Sequence, residues 1–198
     1  MFSRQIQRTA VALALTLATA AVASAQESAK AQMGMEQGTT MVGGMAMVRN
    51  KDIVDNAVNS ADHTTLVAAV KAAGLVETLK GAGPFTVFAP TNAAFGQLPQ
   101  GTVPTLLEPA NKAQLAKVLT YHVVAGRYDA AALVKAIRNG HGTATLTTVQ
   151  GEPLTLMMNG DRNIVVRDAK GDVADISTYD VVQSNGVIHV VDKVLLPS

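Results

Sequence analysis

The chain has 198 residues, with 16 basic and 15 acidic side chains and no cysteine. The missing cysteines exclude disulfides, thiol catalysis, thiolate metal sites and a Cys-linked lipid anchor. The near-neutral charge, the lack of tryptophan and the absence of any Lys/Arg run longer than a pair exclude a phosphate-tracking or base-stacking surface, so nucleic acid is not an expected partner.

Residues 1–25 read as an export signal. Arg4 and Arg8 form a basic start, Thr9 to Ala23 is an uncharged apolar run, and Ala23-Ser24-Ala25 has the small-x-small form of a cleavage site. The run is shorter than the roughly 20 apolar residues that cross a bilayer, so no stable membrane span is expected once it is removed. Taking away Arg4 and Arg8 leaves 14 basic residues against 15 acidic ones. Residues 26–48 are rich in Gly, Gln and Ala without helical or strand periodicity, and read as a flexible lead-in. They carry Met33, Met35, Met41, Met45 and Met47, thioethers of the kind that select Cu(I).

The domain proper is expected over 49–198, long enough to bury a core of its own. Ile53, Val54, Ala57 and Val58 share one helical face. Leu66, Val67, Val70 and Ala73 recur at helical spacing before Gly74, with Ser60, Asp62 or Thr64 available as caps, and Leu75 to Leu79 adds another turn. Gly83-Pro84 then stops the helices. Phe85 to Ala89 reads as a strand halted by Pro90, and Thr91 or Asn92 can cap a short helix through Phe95. Gly96 to Pro109 mixes turn residues with apolar pairs. A helix over Asn111 to Leu119 should precede a strand at Tyr121–Val124, and Asp129 should cap a helix ending at Ile137.

Beyond Gly140 the pattern is β. Leu154, Leu156 and Met158 alternate, Asn159-Gly160 opens a turn into Ile164–Val166, Val173 to Ser177 fits a strand, and Asn185-Gly186 turns into Val187–Val191. Helices followed by hairpins make an α+β domain.

Three segments carry a resemblance: Gly83 to Phe95, Leu119-Thr120-Tyr121-His122-Val123-Val124, and Asn185 to Pro197. In this order across residues 50–198 they resemble the two conserved blocks and the Tyr-His motif of the fasciclin (FAS1) domain. The resemblance implies a wedge of two packed β-sheets with a cluster of short helices. It also implies an extracellular adhesion or matrix module, single in bacterial secreted proteins, in which catalysis is not a family trait. The Tyr-His region, linked with integrin binding in animal members, corresponds here to Tyr121 and His122, which are therefore the candidate binding residues.

No residue grouping argues for an enzyme. Ser60, Ser177 and Ser184 lie outside any Gly-x-Ser-x-Gly elbow, Asp62-His63 reads as a cap region, and the histidines have no zinc-ligand spacing. In a strand, His122 should fix a neighbouring loop while Tyr121 packs on the opposite face, and His189 should be structural among its valines. The expected protein is secreted or periplasmic, uses no cofactor, and binds an unidentified protein, surface or matrix ligand. The alternative is a periplasmic Cu(I)-handling protein working through Met33, Met35, Met41, Met45 and Met47. A ligand pocket between helices and sheets is a third reading, for which the sequence names no polar group.

Overall fold

The computed structural model describes residues 39–198. The export signal and the first part of the lead-in, with Met33 and Met35, lie outside the described residues.

Thr40–Val42 (β1) and Met45–Met47 (β2) pair as an antiparallel hairpin. This departs from the flexible lead-in expected through residue 48. Val42 and Met47 are buried in the core, and Gly43, at φ 59°, lies so close to Asp62 that an added Cβ would stand 2.7 Å from its amide nitrogen. Strands of three residues are too short to show a period-two pattern, so the anchoring comes from tertiary contact.

Short helices follow. Ile53–Ala57 (α1) is capped by Asp52, whose carboxylate accepts from the Asp55 amide at 2.8 Å. A 3₁₀ turn at Ala61–His63 leads into Thr64–Ala73 (α2), which ends on left-handed Gly74, and Val76–Lys80 (α3) completes the group. Phe85–Pro90 forms strand β3, one residue longer than expected because Pro90 still aligns with Val191. Asn92–Gly96 (α4) is capped by Thr91, as the sequence indicates. Thr102–Leu107 (α5) occupies the stretch that read only as turns and apolar pairs, and Lys112–Tyr121 (α6) follows it.

The rest is mainly sheet: Val123–Ala125 (β4), Thr143–Thr147 (β5), Pro153–Asn159 (β6), Asn163–Arg167 (β7), Val173–Gln183 (β8) and Gly186–Val191 (β9), interrupted by helix Ala130–Asn139 (α7). The strand order is β4-β3-β9-β8-β7-β6-β5, antiparallel throughout except for the parallel pair β3/β9. The expected two sheets are two halves of this one sheet. They join through β8, whose register shifts twice between Ile176 and Val181, and such irregularities bend a strand and sharpen its twist. A bridge between Val124 and Thr148 nearly closes the ends.

This topology makes two cores with β3 and β9 between them. Val87, Ala89, Ile188 and Val190 face the helices, packing with Ile53, Leu66, Val70, Leu115 and Leu119. Phe88 and Val191 face the other way, into a core closed by Leu133 and Ile137 of α7 with Leu154, Leu156, Ile164 and Val166. The two strands approach so closely that a Cβ on Gly186 would meet the Phe85 carbonyl oxygen at 2.2 Å.

Candidate functional site

Tyr121 and His122 lie at the end of α6, not in a strand, which corrects the sequence expectation. Leu115, Val118 and Leu119 carry the helix along the helical core, and the His122 ring then turns back onto it. Its Nδ1 donates to the Val118 carbonyl at 2.8 Å, four residues earlier, and so satisfies an orphan acceptor of the last turn. The strand begins only with the β-branched pair Val123-Val124.

Both candidate side chains are buried: Tyr121 is 0% exposed and His122 2%. His122 Nε2 accepts from the Leu195 amide at 2.9 Å. With a carbonyl on one nitrogen and an N–H on the other, the ring is neutral and its tautomer assigned. Burial pushes its pKa down to about 4, against smaller opposing contributions from the Val118 carbonyl and the Asp168 charge.

The Tyr121 ring packs in the second core, and its hydroxyl donates to the Pro153 carbonyl at 3.0 Å and accepts from the Ala169 amide at 2.8 Å. Burial pushes its pKa up to about 12, the nearby Asp168 and Glu152 charges adding to the rise and the Ala169 hydrogen bond opposing it. Tyr121 thus packs into the second core while His122 lines the helical side, and both tie the end of α6 to neighbouring segments.

The corner holds the segment Val194–Ser198 in place. Besides the Leu195 bond to His122, the Leu196 amide donates to Asp168 Oδ2 at 2.9 Å, and the Ser198 amide and hydroxyl donate to Glu152 Oε2 at 2.8 and 2.6 Å. These Ser198 hydrogen bonds, with further help from Gln150 and Lys117, hold the Glu152 carboxyl down at about 2. Asp168 also accepts from the amides of Lys170 and Asp172 through Oδ1. The sequence gives no sign of Asp168 or Glu152 in this role, because their donors are backbone amides from other elements.

The remaining candidates lie apart from this corner. His189 stacks on Phe88 with ring centroids 5.8 Å apart, and its Nε2 bonds the Tyr128 carbonyl at 2.8 Å. Ser60 and His63 do form a pair, with Oγ 2.9 Å from Nδ1, but both are buried and the hydroxyl also faces the Val42 carbonyl at 3.3 Å. Of the methionines, Met41 and Met45 are exposed on the hairpin, whereas Met47 is buried with its sulfur 3.9 Å from Gln183 Nε2. A Cu(I) site sharing all five would have to pull Met47 out of the core. Among the described residues no cluster of three or more His, Asp or Glu side chains could hold a metal ion.

A cavity of about 40 Å³ lies between α1, α2, α3 and the inner face of β3 and β9. Its walls are apolar, Ile53, Val54, Leu66, Val70, Val87 and Ile188 among them, and His63 and His122 also reach it. Among the described residues no helix is long and apolar enough to cross a membrane.

The fasciclin domain family model matches residues 61–197. Protein sll1483 of Synechocystis sp. is 45% identical over 171 residues, covering 85% of this chain and 86% of its own length. The immunogenic protein MPB70 of Mycobacterium bovis is 36% identical over 146 residues, covering 71% of this chain and 66% of its own. The FAS1 domain pair of the insect cell adhesion molecule Fasciclin I superposes with a TM-score of 0.67 at 18% identity, over 75% of this chain and 52% of that one, which shows a shared fold. The family model matched over most of the chain, together with the shared fold, establishes that this chain belongs to the fasciclin domain family.

Proposed function

We propose that the protein is exported by its first 25 residues and acts outside the cytoplasm as a non-enzymatic adhesion or matrix-interaction domain. The observation that carries this reading is the family membership itself, joined to a structural neighbour described as a cell adhesion molecule. The chemistry of the described residues is consistent with it: Tyr121, His122 and His189 are buried and spend their polar atoms on internal bonds, and Ser60 Oγ is held between His63 Nδ1 and the Val42 carbonyl.

Tyr121 and His122 serve adhesion by holding the fold and its Val194–Ser198 segment, not by touching the partner. The partner is a protein, surface or matrix component met by the exposed face of the domain. Deleting the gene should change attachment, aggregation or biofilm formation, and restoring it should reverse the change. Unchanged attachment across several surfaces would overturn the proposal.

A further inference from the structure

His63 holds the one buried side-chain polar atom among the described residues that has no hydrogen-bond partner, its Nε2. The ring is 1% exposed and lines the cavity beneath α2. Its other nitrogen is occupied by Ser60 Oγ at 2.9 Å. The Ala89 carbonyl lies near enough to favour a charged ring, but it makes no hydrogen bond of acceptable geometry with Nε2, and desolvation, the larger effect, keeps the imidazole pKa below its usual value. A buried polar atom left unpaired is costly, and a native fold that keeps one beside a cavity calls for an occupant.

The walls decide what that occupant is. A buried water typically makes about three hydrogen bonds, and this cavity offers His63 Nε2 and, at most, the Ala89 carbonyl: His122 reaches it too, but both of its ring nitrogens are already bonded. A pure hydrocarbon would fill the apolar space and leave Nε2 unpaired. A hydroxyl is both donor and acceptor, so it satisfies Nε2 in either neutral tautomer. Of the lining residues, Ala57, Val67 and Val76 are half-buried and Lys71 is exposed while the others are buried, which puts the mouth beside α2. An interior of about 40 Å³ takes a few heavy atoms, so the remainder of a larger molecule extends through that mouth.

We propose that this cavity binds a small, largely apolar molecule carrying a hydroxyl, with the hydroxyl innermost on His63 Nε2 and the apolar body along α2 toward Val67 and Lys71. The site is separate from the adhesion role and does not depend on it.

The test titrates the ¹⁵N-labelled protein with linear alcohols from butanol to octanol, and with the matched alkanes, while following the His63 ring nitrogens by NMR. Alcohols should bind saturably, shift Nε2 far more than Nδ1, and bind about tenfold more tightly than the alkanes, since one added hydrogen bond to a buried group is worth about a factor of ten. His63→Phe should erase that preference for alcohols. Val67→Phe, which narrows the mouth while leaving His63 in place, should weaken alcohols and alkanes alike, so the test stands even if His63→Phe does not fold. An unmoved Nε2 resonance at saturating alcohol, equal affinity for alcohols and alkanes, or a water that stays in exchange contact with Nε2 when alcohol is present would each overturn the proposal.

Discussion

His122 gives the sharpest quantitative expectation. An unfolded histidine takes up its proton near 6.5, whereas folded His122 stays neutral down to about 4, because burial disfavours the charge and Nε2 is already accepting from Leu195. Between those values the unfolded chain binds a proton that the native protein does not. Stability therefore falls as pH falls, and it is fully present only above the unfolded value. The gap corresponds to about 3 kcal/mol, of which about 2 kcal/mol is lost between about pH 7.5 and 5. Burial lowers His63 and His189 too, so the wild-type profile contains their contributions with the same sign. Asp52 and Glu152 are lowered carboxylates, and their contributions are lost at more acidic pH.

His122→Gln isolates the residue. The variant is less stable at neutral pH, but its disadvantage should shrink by about 2 kcal/mol on going from about pH 7.5 to 5. Urea unfolding followed by far-UV circular dichroism at several pH values reads this directly, there being no tryptophan to follow. If the difference between wild type and variant stays constant within about 0.5 kcal/mol across the range, His122 is not the buried neutral group described above.

Three further outcomes follow from the same geometry. Tyr121→Phe keeps the ring but orphans the Pro153 carbonyl and the Ala169 amide, so it should cost about 1–3 kcal/mol for each group that water cannot reach; urea midpoints measure it. Phe88→Ala should cost about 3–5 kcal/mol because Phe88 is 0% exposed, and Phe85→Ala distinctly less because Phe85 is only half-buried; equal costs would contradict the assignment of Phe88 to the second core. A chain beginning at residue 49 should lose about 2–5 kcal/mol relative to one beginning at residue 39, chiefly from Met47 leaving the core, and thermal unfolding of the two compares them.

The parts of the fold legible in the sequence are those fixed by local chemistry. Thr91 caps its own helix, Gly74 stops α2, and the Asn159-Gly160 turn joins β6 to β7 as hydrogen-bonding and φ preferences require. What stayed hidden is set by partners distant in sequence. Asn92, read as a cap for α4, instead accepts from the Thr65 amide of α2 at 2.9 Å and donates to the Ala61 carbonyl. Asn185, read as a turn residue, is a buried hub that accepts from the Ile53 amide and donates to the Leu79 and Gly81 carbonyls. At the Tyr-His motif the hidden contact is local. Val123-Val124 favours a strand, but the helix runs through Tyr121 and the His122 ring satisfies the Val118 carbonyl of its last turn.

The burial of Tyr121 and His122 changes how an adhesion phenotype must be interpreted. Replacing His122 orphans two buried backbone groups and replacing Tyr121 frees two partly buried ones, so lost attachment in either variant can arise from partial unfolding with no recognition contact involved. The readings separate if attachment is plotted against the folded fraction for variants placed throughout both cores. If the motif acts only through the fold, Tyr121→Phe, His122→Gln and Phe88→Ala fall on one curve, because each lowers attachment only as far as it lowers the folded population. A Tyr121 or His122 variant that stays folded yet loses attachment lies off that curve, and would give the motif a contact role despite its burial.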